Sequence, residues 1–141
     1  MRILQTTFTI RTQGQGLYEF TGEVARWLQN ERVTSGLLTL FCRHTSAGLT
    51  IQENADPDVL HDLEFFFKRL VPERSNGFRH TDEGPDDMPA HIRATLSGVS
   101  LSIPVSQGRM VLGTWQGIFL FEHRLRSHRR EVVGCWMGEN G

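Results

Sequence analysis

Residues 3–11 set Ile3, Gln5, Thr7 and Thr9 against Leu4, Thr6, Phe8 and Ile10. A period of two with many β-branched side chains predicts a strand, and Gln13-Gly14-Gln15-Gly16 ends it. Thr21 is placed as an N-cap, with Val24, Trp27 and Leu28 following at three- and four-residue spacing, so a short helix is expected over 22–30. Ser35–Arg43 is almost continuously apolar through Gly36-Leu37-Leu38-Thr39-Leu40-Phe41-Cys42, the pattern of a central strand covered on both sides. It delivers His44, which shares a face with Cys42 and Leu40. Thr45-Ser46-Ala47 leads into a second short strand, Gly48–Gln52.

Asn54-Ala55-Asp56-Pro57 is a helix start, with Asp56 as N-cap and Pro57 at the first helical position. Val59, Leu60, Leu63, Phe66, Phe67 and Leu70 then form an apolar stripe at helical spacing, read as a core helix that ends at Val71-Pro72-Glu73. Ser75-Asn76-Gly77 is read as a loop. Met88, Ile92 and Leu96 predict a third helix closed by Ser97-Gly98. Val99, Leu101, Ile103 and Val105 alternate with polar neighbours and Pro104, a half-exposed strand at an edge or strand end. Met110–Leu112 starts a partner strand after the Gln107-Gly108 turn. Gly113-Thr114-Trp115-Gln116-Gly117 interrupts the chain before the apolar Ile118-Phe119-Leu120-Phe121, and Val132–Met137 is the last strand. The expected architecture is a single α+β domain over residues 1–141. Its sheet is mixed or antiparallel, or forms a sandwich, with about seven strands and two to three helices.

Composition narrows the function classes. Fifteen basic and sixteen acidic residues balance, leaving no net field to draw in nucleic acid or an anionic membrane. The basic loop Arg124-Leu125-Arg126-Ser127-His128-Arg129-Arg130 has no interleaved aromatics and is read as an exposed hairpin loop. The apolar windows are too short to span a bilayer, and Met1-Arg2-Ile3-Leu4-Gln5 does not read as a signal peptide. A cytoplasmic protein is expected. Cys42 and Cys135 each sit in an apolar run and are expected to be buried free thiols.

The densest chemistry lies in Arg79-His80-Thr81-Asp82-Glu83-Gly84-Pro85-Asp86-Asp87-Met88-Pro89-Ala90-His91. Histidine nitrogens and carboxylate oxygens suit zinc or another divalent transition metal. With a helix starting near Asp87, Asp87 and His91 share one face at a spacing of four. Asp86 and Asp87 also suit helix capping. Thr45 and Ser46 are candidates for binding substrate or satisfying a turn. The helix N-terminus after Glu53-Asn54 is a candidate anion site, and in the favoured reading Asp56 itself occupies it as the cap. The two glycines around Thr114-Trp115-Gln116 fit a tight turn or a backbone laid beside a ligand.

Three stretches in order carry a resemblance: His44-Thr45-Ser46-Ala47 with Glu53-Asn54-Ala55-Asp56-Pro57, then His80 to His91, then Gly113-Thr114-Trp115-Gln116-Gly117. Together they resemble the YjbQ-like family, also described as a secondary thiamine-phosphate synthase family, over essentially the whole chain. The resemblance implies an α+β fold, a homotrimer, a small-molecule substrate, and a divalent metal, zinc or magnesium, among His44, His80 and His91. It implies Asp82, Glu83 and Asp87 as nearby carboxylates, with Glu83 and Asp87 the candidates for proton transfer. Thr45, Ser46, Asn54, Thr114, Trp115 and Gln116 become candidates for substrate contact. The reaction it implies joins a pyrimidine diphosphate to a thiazole phosphate and expels pyrophosphate, for which Arg43, Arg79, Arg93 and Arg109 are the candidate phosphate-binding groups. A metal- or anion-binding module and a structural trimer are the other readings of the same cluster.

Overall fold

The computed structural model describes residues 1–73 and 77–140. In chain order the elements are β1 Arg2–Arg11, β2 Gly16–Glu19, α1 Thr21–Asn30, β3 Val33–Cys42, β4 Ala47–Glu53, α2 Pro57–Leu70, α3 Asp87–Ser97, β5 Ser100–Ser106, β6 Arg109–Met110, β7 Gln116–Glu122 and β8 Arg129–Asn140. Most of the loop expected at Ser75-Asn76-Gly77 lies outside the described residues.

The strands form two antiparallel sheets, one of five in the order β1-β8-β3-β5-β6 and one of three in the order β2-β7-β4. The expected α+β sandwich is therefore present, in its antiparallel form. Side-chain alternation sorts the five-stranded sheet into two faces. One cross-strand row, Leu4, Trp136, Leu38 and Ile103, faces inward and meets Ile118 and Leu120 of β7 and Leu49 of β4 in a single core. The neighbouring row, Ile3, Met137, Leu37 and Pro104, faces outward, and Ile3, Met137 and Leu37 are exposed, as is Phe41 further along β3. β3 is central in its sheet but covered on one side only, because the second sheet packs against just one of its faces. β2, four residues long, is too short to show a period and had no signature in the sequence.

The three-stranded sheet is the middle layer. Residues 117–122 of β7 are buried throughout, with Ile118 and Leu120 facing the other sheet and Phe121 facing α2, whose Phe67 ring stands edge-on at 5.1 Å. α2 begins as expected: Asp56 accepts a hydrogen bond from the Asp58 amide at 2.9 Å, and Pro57 opens the helix. It is not a core helix, however. None of its residues is buried, and Phe65, Phe66 and Leu70 are exposed. α1 is capped differently from the expectation, with Phe20 in the N-cap position and no side-chain cap. The Thr21 hydroxyl instead accepts from the Ile118 amide and donates to Glu19.

α3 also turns a different face inward. Asp87, Ala90, Arg93 and Ala94 are buried, whereas Leu96 of the Met88/Ile92/Leu96 stripe is 56% exposed. Small residues decide this, since they let α3 lie close on β4. A Cβ on Gly48 would stand 2.4 Å from the Gly98 carbonyl, the same carbonyl that accepts from the Leu49 amide. Gly98 ends α3 with φ of 91°, a conformation that favours glycine. Both cysteines are free, but Cys135 is only half-buried on the outer sheet face. Burial pushes the Cys42 thiol pKa up. No helix among the described residues is long and apolar enough to cross a membrane.

Candidate metal centre

The centre is built on the first turn of α3. Asp86 occupies the N-cap position but makes no capping bond with its side chain. Its carboxylate accepts instead from Arg124 Nε at 2.9 Å and from the Leu125 amide at 3.0 Å. Arg124 Nη1 donates to Asp87 Oδ1 at 2.6 Å, and Nη2 to the Glu83 carbonyl at 3.0 Å. One guanidinium just beyond β7 thus ties down both carboxylates and the acidic loop. The exposed-loop reading of 124–130 holds for Leu125, Arg126, Ser127 and Arg129 and is corrected at its two ends: the Arg124 side chain is 12% exposed, and Arg130 is buried against Glu122, which also accepts from Thr12.

Held in this way, Asp87 turns its other oxygen, Oδ2, to two imidazoles. His80 Nε2 lies at 2.6 Å and His91 Nε2 at 3.1 Å, the latter from one helical turn away as the spacing predicts. The three potential ligand atoms all lie within 4.8 Å of one another. Asp87 is buried, His91 half-buried and His80 open to solvent on one side. The other nitrogen of His91, Nδ1, lies 3.0 Å from the Thr45 carbonyl. A carbonyl can only accept, so Nδ1 carries a hydrogen. Nε2 of the same ring faces a carboxylate, also an acceptor. The ring must then either bear a second proton or give its Nε2 lone pair to a cation.

Electrostatics reinforce the arrangement. Burial alone would raise the Asp87 carboxyl pKa, but the His80 hydrogen bond, the Arg124 charge and His91 outweigh it and hold the group below the ordinary carboxylate range. Asp86 is lowered in the same sense, burial being outweighed by the Leu125 amide and by Arg124. Arg124 is raised: burial opposes its charge, and the hydrogen bond and charge of Asp86, followed by Asp87, more than offset it.

The other sequence-predicted residues divide into three groups. His44 stands outside the cluster. Its Nε2 accepts from the Glu131 amide at 2.8 Å, and burial, aided by the Arg130 charge, lowers its pKa and favours the neutral form. Its imidazole is thus occupied as an anchor to β8, and it is the next residue's carbonyl that reaches His91. Ser46 is buried and accepts from Arg130 Nη2 at 3.0 Å, while the Thr45 side chain, Asp82 and Glu83 are exposed. The third group is distant. Asn54 donates to Glu19 at 3.0 Å, Gln116 closes a tight turn through the Gly113 amide at 2.8 Å, and Thr114 and Trp115 are exposed. In the β4–β7 ladder, Ala47 pairs with Glu122 at one end and Glu53 with Gln116 at the other, ends about 20 Å apart at the rise of a strand. Within one chain, Asn54 and Thr114–Gln116 therefore lie together but away from the histidines.

The candidate arginines are scattered too. Arg43 faces Glu131, Arg93 is buried and donates to the Val71 carbonyl, Arg79 is exposed, and Arg109 stands on β6. Sequence reading missed Arg124 and the buried Glu122–Arg130 pair. The available signal was β7, whose apolar run passes without a turn residue into Glu122-His123-Arg124.

Comparison with known proteins gives a consistent result. The family model for UPF0047 protein YjbQ-like matches residues 6–139. The UPF0047 protein sll1880 of Synechocystis is 54% identical over 135 residues, covering 96% of this chain and 92% of its own. The UPF0047 protein YjbQ of Escherichia coli O157:H7 is 46% identical over 136 residues, covering 96% and 98%. A crystal structure of an uncharacterized YjbQ/UPF0047 protein from Clostridium acetobutylicum superposes with a TM-score of 0.86 at 32% identity, over 94% of this chain and 99% of that one.

Proposed function

The chain belongs to the YjbQ-like UPF0047 family, and on that footing we propose that it is a metal-dependent enzyme whose divalent ion is held by His80, Asp87 and His91. The observation that carries this reading is His91, with a carbonyl against Nδ1 and a carboxylate against Nε2. Metal-binding histidines have this environment, the outer nitrogen donating to a backbone carbonyl and the inner lone pair left for the ion. Two imidazoles and one carboxylate suit zinc or a similar transition metal better than magnesium, which takes oxygen ligands. Three protein ligands leave a position for water or substrate. Bound there, the ion would act as a Lewis acid and lower the pKa of a coordinated water.

The protein's own groups supply the rest of the chemistry. Arg124 fixes the orientation of Asp87, and the Thr45 carbonyl fixes the His91 tautomer. Glu83, exposed on the rim and tethered through its carbonyl to Arg124, is the candidate to move a proton. Asp86 and Asp87 outweigh Arg124 by a single negative charge, so a divalent ion would leave the centre net positive and suited to a phosphorylated substrate. Thiamine-phosphate formation, implied by the family resemblance, is a reaction of this kind. We further propose that a homotrimer completes the site, with Asn54, Thr114, Trp115 and Gln116 of a neighbouring copy meeting the histidines. Their separation within one chain and the exposed apolar side chains of Phe65, Phe66 and Leu70 on α2 support this reading.

The test pairs metal analysis with turnover. Purified protein is expected to hold about one zinc-like ion per chain and, loaded, to form thiamine phosphate from its two phosphorylated precursors. His91→Ala is expected to lose both properties. Metal bound without turnover on these precursors or on a phosphate-ester panel would point to a binding module. Turnover unchanged in the His80→Ala/His91→Ala variant would refute the assignment.

A further inference from the structure

A second site lies away from the histidines, where the C-terminal end of α1 meets the β5–β6 hairpin. A cavity of about 670 Å³ opens there, within the size range of small-molecule pockets. Leu28, Val33, Met110 and Leu112 give it apolar walls, while Arg32, Arg109, Gln29 and Gln107 bring polar groups to it. Among the described residues, no acidic side chain lines it. Neither Arg32 nor Arg109 pairs with a carboxylate among the described residues.

The backbone gives an independent indication. Among the described residues, Arg32 and Gln107 are the two non-glycine residues with positive φ, at 55° and 53°, and both line this cavity. Arg32 follows the last turn of α1, its amide donating to the Gln29 carbonyl, where glycine is the favoured residue. Gln107 takes the first central position of the hairpin turn, ahead of Gly108 with φ of 77°, where asparagine, aspartate or glycine is favoured. Strained non-glycine residues concentrate at ligand sites. Here both present long polar side chains at the same opening.

We propose that this cavity binds a small amphipathic anion, a compact apolar body carrying one phosphate or carboxylate group that the guanidiniums of Arg32 and Arg109 neutralise. The apolar walls take the body, and the unpaired cations take the charge. The site is separate from the metal centre. Val33 begins β3, whose far end, leading to His44-Thr45, lies about 30 Å along the strand.

Calorimetry and amide-resolved NMR on the full chain would test this with phenyl phosphate, benzoate, phenol and inorganic phosphate as probes. Phenyl phosphate or benzoate is expected to bind and to shift residues 25–33 and 107–112, and the tighter of the two identifies the anionic group. Phenol and inorganic phosphate, each lacking one half of the ligand, are expected to bind about tenfold or more weakly. Arg109→Gln, at an exposed position, is expected to weaken the anionic probe about tenfold while leaving the melting temperature and zinc binding unchanged. Phenol binding as well as phenyl phosphate, inorganic phosphate binding as well as phenyl phosphate, or affinity unaltered by Arg109→Gln would each overturn the proposal.

Discussion

At the scale of single residues, the fold controls charge most firmly at His123. The side chain is 1% exposed, its ring lies 4.4 Å from that of Phe121, and the Ser97 hydroxyl stands at 3.4 Å from Nε2. Burial first, and then the Arg93 charge, push its pKa down to about 3. The unfolded chain, with histidine near its ordinary value of about 6.5, takes up the proton first. His123 therefore stabilises fully above about pH 6.5, and its contribution falls as pH drops towards 3, by about 1.4 kcal/mol per pH unit. Asp86 and Asp87 are shifted below the carboxylate range, so their contribution is lost only at lower pH. Denaturant titrations at several pH values from 6.5 down to 4.5 should show His123→Phe flattening the profile by about that slope; an unchanged slope would show that the ring titrates freely in the folded protein. Legibility at this scale followed sequence distance. The Asp87–His91 pair was readable because four residues on a helix fix a shared face. Arg124 was not, because its carboxylate partners come from 37 and 38 residues away. His44 was placed at the right loop, but the backbone amide that claims its ring belongs to residue 131.

At the scale of elements, ends were more legible than faces. Asp56-Pro57 and Gly98 set the ends of α2 and α3 by local chemistry that any context must obey. Which stripe of each helix is buried depends on what lies opposite. For α3 that is Gly48 on β4, which admits Ser97 and Gly98 at the helix end, and α2 sets Phe67 against Phe121 of β7. The apolar stripe of α2 is real: Val59, Leu60, Leu63 and Phe67 are half-buried, and Phe66 and Leu70 stay exposed in one chain. Phe66 is 56% exposed, so Phe66→Ser should change the stability of an isolated chain by less than about 1 kcal/mol. If neighbouring copies cover the stripe, the same substitution should lower the assembled mass in analytical ultracentrifugation. An unchanged mass would show that α2 is not at the interface.

For the whole molecule, the strand order explains both what was and what was not readable. Alternation and apolar runs identified the strands other than β2, and the α+β sandwich followed from them. Pairing decided the rest: β7 between β2 and β4 delivers Arg124, just past its end, to the first turn of α3, and it carries Thr114–Gln116 to the opposite end. The three motifs, consecutive in sequence, thus separate into a metal-type cluster at one end and a polar, aromatic group at the other. No count of spacings contained that separation, because it arises from the antiparallel ladder of β4 and β7.

The cluster itself is best tested by calorimetric titration of zinc into metal-free protein, in two buffers of different ionisation enthalpy. With acceptors against both nitrogens of His91 and with Asp87 between two imidazoles, zinc should bind at micromolar concentration or tighter and displace about one proton per ion. Asp87→Ala should abolish that binding. No heat of binding with zinc at about 1 mM, or binding that Asp87→Ala leaves intact, would contradict a metal centre at His80, Asp87 and His91.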